Sequence, residues 1–390
     1  MKCLYVHPAI RNYREPLFQK LGEMGMHFLF SSSGSLGEHA IKETADILAR
    51  FPYPYHQARE MRALPVSDFS LDLMRVFRYD LVIFSHTTLP LLMYARWLKW
   101  MGKRVLLFDV MWRYPHEVKK FRLAYPFIRS VVNRSVDAII AGGSKSKAMY
   151  MQEFAVPEEK LFVAYETTTD LMQVPRCERT AGEIEMRVRA LAGSRKVVLY
   201  LGRLVEYKGL DVLIRAMAQL PEDACLIVVG SGPFGPLCEQ MTCEMGLTDR
   251  VHFLGGCAVD ETLYYYLQAD VFVLPARFQL HETVNCEAWG FTVNEAMSLE
   301  VPVVATTAVG AAFDLICDGE TGMLAEENDA DSLAAKINSL LADEARRKQI
   351  GKQGRAWLME RCRYEQSFQA YQAAIAYAIM RRERKSDTPG

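Results

Sequence analysis

The chain has 390 residues, half of them hydrophobic and 24% charged, enough for two domains with full cores. Its apolar runs all fall short of the roughly 18 residues a spanning helix needs, which excludes such a helix, and none of its nine cysteines forms a Cys-x-x-Cys pair, so no zinc site is expected. The formal net charge of -1 hides a polarity: residues 1–170 carry 23 Lys and Arg against 17 Asp and Glu, whereas residues 171–390 carry 23 against 30.

Short apolar runs alternate with helical patterns along the whole chain, which predicts parallel α/β architecture. Strands are expected at Cys3–His7, Phe28–Ser32, Leu81–His86, Val105–Asp109, Ala138–Gly142 and Leu161–Tyr165. Helices are expected between them at Arg14–Met24, Leu89–Lys99, Tyr125–Asn133 and Lys145–Phe154. Residues 1–170 thus form a first domain. The polar stretch 171–194 reads as a linker, and residues 195–363 as a second domain of the same kind. Two helical patterns without an intervening strand follow. The last, over 364–382, is expected to cross back to the first domain, leaving 383–390 as a disordered tail.

Two doubly wound domains place ligands at the carboxyl ends of their strands, in a deep cleft between the domains. Four constellations in the second domain bear on such a site. Gly202 and Arg203 end a strand, and Lys208-Gly209 opens the next helix, so two cations can clamp a diphosphate. Gly230-Ser231-Gly232 belongs to a GxGxxG match, but Phe253-Leu254-Gly255 stands where a dinucleotide site needs an acid, and Pro233 removes an amide. These glycines therefore read as a backbone-close contact for a base or ribose. Asp329-Ala330-Asp331 imitates a metal motif but sits where a helix N-cap belongs, so no metal is expected. Most informative are Glu287 and Glu295, which bracket Gly290. The helix starting at Phe291 is expected to leave the amides of Phe291, Thr292 and Val293 free for a phosphate. Two carboxylates beside a phosphate hollow suit hydroxyl groups, and a ligand with both phosphates and vicinal diols is a nucleotide sugar.

In the first domain Arg11, Asn12 and Arg14 follow the first strand, and His86 and Asp109 end later ones. Arg113 lies just beyond, with His116 and Glu117 as weaker candidates. All are candidates for acceptor contacts, against the plainer reading of Asp109 as a turn cap. Twelve cations against three carboxylates between Pro90 and Tyr150 suit an anionic surface, or else form a solvated face.

The second half resembles the retaining glycosyltransferases of family 4, which share the GT-B fold. The resemblance rests on Gly202-Arg203 with Lys208-Gly209, Val229-Gly230-Ser231-Gly232-Pro233, Val251-His252-Phe253-Leu254-Gly255, Glu287 to Met297, Pro302 to Thr306, Gly310, and Asp318 to Gly322. It covers about residues 195–325. It implies two Rossmann-like domains, with Arg203 and Lys208 on the donor diphosphate, Glu295 on the ribose, and Glu287 beside the anomeric carbon. It also implies metal-independent transfer with retention. The first half departs from the pattern at Ile10-Arg11-Asn12, Leu107 to Val110 and Glu166 to Asp170, so no acceptor residue carries over.

The expectation is therefore a nucleotide-sugar glycosyltransferase without cofactor, acting on a glycan or lipid-linked glycan in surface polysaccharide assembly. Nucleic acid is not an expected partner. With scattered thiols and no apparent leader, the expected location is cytoplasmic, peripheral on the membrane face if the basic half contacts anionic lipid. The competing readings are an epimerase or phosphorylase of the same fold, and a non-catalytic nucleotide-sugar or nucleic-acid binder.

Overall fold

The computed structural model describes residues 1–31, 38–58, 71–85, 89–112, 125–280 and 284–386. They divide into two compact units, Met1–Thr167 with Cys362–Gly390, and Thr168–Arg361.

The first unit runs β1 (Cys3–His7), α1 (Glu15–Glu23), β2 (Met26–Ser31), α2 (Glu38–Leu48), β3 (Tyr55–Ala58), β4 (Leu81–Phe84), α3 (Leu89–Trp100), β5 (Arg104–Asp109), α4 (Tyr125–Ser135), β6 (Ala138–Ala141), α5 (Ser144–Gln152) and β7 (Leu161–Val163). Its seven parallel strands lie in the order β3-β2-β1-β4-β5-β6-β7. Helices cover both faces, which is why β4 and β6 are buried at every residue and read as continuous apolar runs. The sequence reading passed over α2 and β3. Edge strand β3, Tyr-His-Gln-Ala, lacks the apolar signal because only one of its edges is paired.

The second unit runs α6 (Glu178–Ala192), β8 (Lys196–Leu201), α7 (Leu210–Met217), β9 (Ala224–Val229), α8 (Gly235–Glu244), β10 (Val251–Phe253), α9 (Thr262–Leu267), β11 (Val271–Leu274), β12 (Gln279–Leu280), β13 (Val284–Asn285), α10 (Phe291–Ser298), β14 (Val303–Thr306), α11 (Gly310–Leu315), β15 (Met323–Ala325), α12 (Ala330–Leu341) and α13 (Glu344–Arg361). Six parallel strands are ordered β10-β9-β8-β11-β14-β15, and β12 and β13 form a small antiparallel hairpin. The strand order reverses between β8 and β11, so this sheet has its switch point there.

The stretch 171–194 is not a linker. Most of it is α6, which buries Ile184, Val188 and Ala192 and packs on α9. Those three apolar positions fall at 4-residue spacing inside an otherwise charged sequence, a stripe narrow enough to pass for a polar segment. The second unit begins at Thr168, where half-buried Asp170 pairs with Arg355 at 2.8 Å.

The last helix, α14 (Tyr364–Ser386), packs on α1, β5, β6 and β7 of the first unit. Tyr371 is fully buried there, with its hydroxyl 2.9 Å from that of Tyr5. Helix continues to Ser386, so residues 383–386 are not a tail, and 387–390 lie outside the described residues.

Candidate active site

Three loops at the carboxyl ends of β8, β9 and β10 are stitched by backbone bonds: Gly202 N to Val229 O at 3.0 Å, Leu204 N to Ser231 O at 2.9 Å and Gly230 N to Gly255 O at 2.8 Å. A Cβ on Gly230 would stand 1.8 Å from the Gly202 carbonyl, and one on Gly232 2.3 Å from that of Leu204. These glycines thus permit a close approach of neighbouring backbone. Ser231 is exposed and Phe253 and Leu254 half-buried beside them.

The loop after β8 makes one tight turn, Glu206–Lys208, and enters α7 through Gly209 at φ +71°. A Cβ on Gly209 would lie 1.9 Å from Pro275 O at the end of β11, so the turn is pressed against the far side of the switch point. This brings the Lys208 ammonium onto the Glu287 carboxylate, both side chains about one-eighth exposed. Arg203 is exposed and donates from Nη2 to the Tyr207 hydroxyl at 2.8 Å.

Glu287 is fixed from the other side. It forms a parallel bridge with Val309, and its carbonyl accepts from Gly310 N at 3.0 Å. Gly310 tolerates no side chain, since a Cβ would meet Ala288 O at 2.0 Å. Gly290, at φ +105°, then turns the chain into α10, and Trp289 Nε1 donates to Asn294 Oδ1 at 2.9 Å across that turn. The helix start is less open than expected, because Val293 N is already bonded to Gly290 O at 2.9 Å. One feature there points to a ligand: the Thr292 hydroxyl is buried without a hydrogen-bond partner.

Glu295 has a different environment. Its carboxylate accepts from the Tyr266 hydroxyl of α9 at 2.8 Å. Its surface is partly accessible, yet protein surrounds the carboxyl. Desolvation raises the group to about 7 against the pull of Tyr266.

Two further residues escaped the sequence reading. Arg277 follows β11, donates its backbone N–H to Tyr207 O at 2.8 Å, and binds Asp211 Oδ2 at 3.0 Å and Glu206 Oε1 at 3.3 Å through its guanidinium. It holds the turn that carries Lys208. Its placement just past a strand's carboxyl end is the signal that singled out Arg203. Tyr266, inside the run Leu-Tyr-Tyr-Tyr, offered no such signal.

Asp329 caps α12, accepting from Asp331 N and Ser332 N at 3.0 Å, and Asp331 accepts from Gln219 Nε2 at 2.7 Å. Among the described residues, no group of three or more His, Cys, Asp or Glu could hold a metal ion.

The first-unit candidates are tied to internal partners. Arg11 pairs with Glu43 at 2.6 Å, and Asn12 N donates to the same carboxylate at 2.8 Å. Arg14 is buried, 2.6 Å from Glu166 and over the Phe108 ring. Asp109 accepts from Tyr150 at 2.5 Å and from Met111 N at 3.0 Å, so the turn-cap reading describes it. His86, Arg113, His116 and Glu117 lie outside the described residues.

Residues 183–357 match the family described as glycosyl transferases group 1. A GDP-mannose-dependent alpha-(1-6)-phosphatidylinositol monomannoside mannosyltransferase of Mycolicibacterium smegmatis is 35% identical over 178 residues, 45% of this chain and 46% of that one. The Mycobacterium tuberculosis protein of the same name is 28% identical over 246 residues, 62% of each chain. The chain thus spans about half to three-fifths of the length of these curated relatives. Among solved structures, Anabaena Alr3699/HepE in complex with UDP superposes with a TM-score of 0.76 at 20% identity, over 96% of this chain and 100% of that one. The two doubly wound units and this likeness give the GT-B fold.

Proposed function

We propose that the protein is a glycosyltransferase that moves a sugar from a nucleotide diphosphate to an acceptor hydroxyl. The observation that carries this is the Lys208–Glu287 pair at the switch point of a sheet whose sequence matches the glycosyl transferases group 1 model. An ammonium has three donors, so Lys208 can keep Glu287 oriented while it serves a phosphate oxygen. Arg203 adds a second cation on the same loop, and the unpartnered Thr292 hydroxyl a further donor beside the α10 start. Charge on the leaving diphosphate would then be met by fixed groups, the term that usually weighs most in such transfers.

In this reading Glu287 lies beside the anomeric carbon, Glu295 takes the ribose hydroxyls, and transfer retains configuration. Metal independence is supported by the two cations and by the capping work of Asp329. The relatives that act on phosphatidylinositol mannoside support a glycan or lipid-linked acceptor, met at a membrane surface. The named partner of the Anabaena protein, UDP, and the donor in the relatives' names, GDP-mannose, define the first panel to test.

The test is thermal stabilisation by UDP- and GDP-sugars, followed by transfer assays with and without EDTA and NMR of the product anomer. A donor that stabilises the wild type but not Lys208→Ala is expected. Full turnover in both Glu287→Ala and Arg203→Ala would remove the site.

A further inference from the structure

Helix α3 is apolar on the wrong side as well as the right one. Its inner face buries Leu91, Leu92, Ala95 and Leu98 in the core of the first unit. A helix so placed normally turns charge outward, and one that is apolar all round is normally buried. Here the outward positions Met93, Trp97 and Trp100 recur at spacings of four and three, continued by Met101, and they are 46%, 42%, 83% and 45% exposed. Of these, Trp97 also packs on the rings of Tyr94 and Phe77, whereas Trp100 is almost wholly exposed.

The short 3-10 helix Leu71–Arg78 extends this face. Its Phe77 ring packs edge-on against Trp97, with centroids 5.1 Å apart, and the Lys103 ammonium holds the Phe77 carbonyl at 2.9 Å. Residues three apart eclipse in such a helix, so Met74, 61% exposed, stands one turn along from Phe77 on the same side. The charges flanking the stripe are mostly positive, with Lys99 taken up by Asp137 at 2.9 Å and Arg78 and Arg96 left outward. Between Met74 and Arg104 the sequence has six Lys and Arg against one Asp, and Arg78 and Arg96 are exposed. The single acid, Asp80, is bonded to Lys2 N.

We propose that this face docks on an anionic phospholipid bilayer, with α3 lying in the interface plane, Trp97 and Trp100 at headgroup depth, and Arg78 and Arg96 on lipid phosphates. Exposed tryptophan and methionine interleaved with arginine is the chemistry of an interfacial helix. A second protein copy would need carboxylates facing those arginines, and a self-complementary pairing would instead place cation against cation. The inference rests on the glycosyltransferase reading only for why a membrane acceptor would be met there.

Flotation with vesicles of phosphatidylcholine and phosphatidylglycerol, without donor, tests it apart from the donor site. Wild type should float with the anionic vesicles and not with pure phosphatidylcholine, and its tryptophan emission should shift to the blue. Arg78→Gln with Arg96→Gln should lower partitioning roughly thirtyfold, about fivefold per cation. Trp100→Ser should lower it roughly tenfold. Both variants sit on exposed side chains, so their melting temperatures and donor stabilisation should match wild type. Equal flotation of wild type and both variants, no flotation of wild type, or a wild-type dimer that Trp100→Ser dissociates would each overturn the proposal.

Discussion

Glu295→Gln should separate stability from function, because the folded chain holds this carboxyl where ionising it is unfavourable. The group titrates near 7 in place against an ordinary value of 4.5. Between those values the unfolded chain ionises Glu295 while the folded one keeps it neutral. Stability contributed by the neutral form is therefore complete below pH 4.5 and is lost as pH rises through 7. The difference corresponds to at most about 3 kcal/mol, which relaxation and solvent access reduce. Glutamine cannot ionise, yet its carbonyl can still accept from Tyr266. The variant should match wild type near pH 5 and exceed it near pH 8, by up to roughly 5–10 °C in melting temperature for a unit of this size.

Donor affinity should move the other way. A neutral amide accepts hydroxyl hydrogen bonds more weakly than a carboxylate, by about 1 kcal/mol, or roughly fivefold in Kd. In wild type, affinity should improve as pH rises through 7, and in the variant this dependence should vanish. Calorimetric melts at pH 5 and pH 8, with donor titrations at both, check the pair of claims. Parallel melting profiles for wild type and variant across this range would refute the argument that enclosure, and not sequence, sets the behaviour of Glu295.

Lys208→Ala removes one partner of Glu287 and a cation from the diphosphate side, so turnover should fall about 10²–10³-fold, read in steady-state transfer. Gly310→Ala drives a Cβ to within 2.0 Å of Ala288 O, whereas Gly182→Ala, in helical backbone, meets nothing within 4 Å; urea unfolding should show the first losing about 2 kcal/mol more than the second. Asp109→Ala removes an acceptor from the Tyr150 hydroxyl and from Met111 N and should cost about 1–3 kcal/mol, with donor stabilisation of the second unit unchanged.

Much of this was legible in the sequence because the signals were local. Fully buried parallel strands such as Val271–Leu274 announce themselves as apolar runs, and the loops at their carboxyl ends follow in order. Arg203, Lys208 and Glu287 could be named since each sits next to such a strand or next to a helix start. The cap at Asp329 was legible for the same reason: its partners are two and three residues away.

What escaped needed partners far along the chain. Tyr266 is 29 residues from Glu295, and Arg277 is 71 from Glu206, so no spacing rule reaches either pair. The amide of Val293 looked available because a helix start leaves donors unpaired on average, but the left-handed turn at Gly290 swings its own carbonyl back to take that donor. The glycines of the 230–232 loop show the same limit from the opposite side. Their pattern reports that something comes close, and only the fold reveals that the neighbours are the carbonyls of Gly202 and Leu204. By accepting the Gly202 and Leu204 amides on the carbonyls of Val229 and Ser231, the loop after β9 steadies the strand end that presents Arg203, so a motif resembling a dinucleotide fingerprint supports the candidate phosphate clamp.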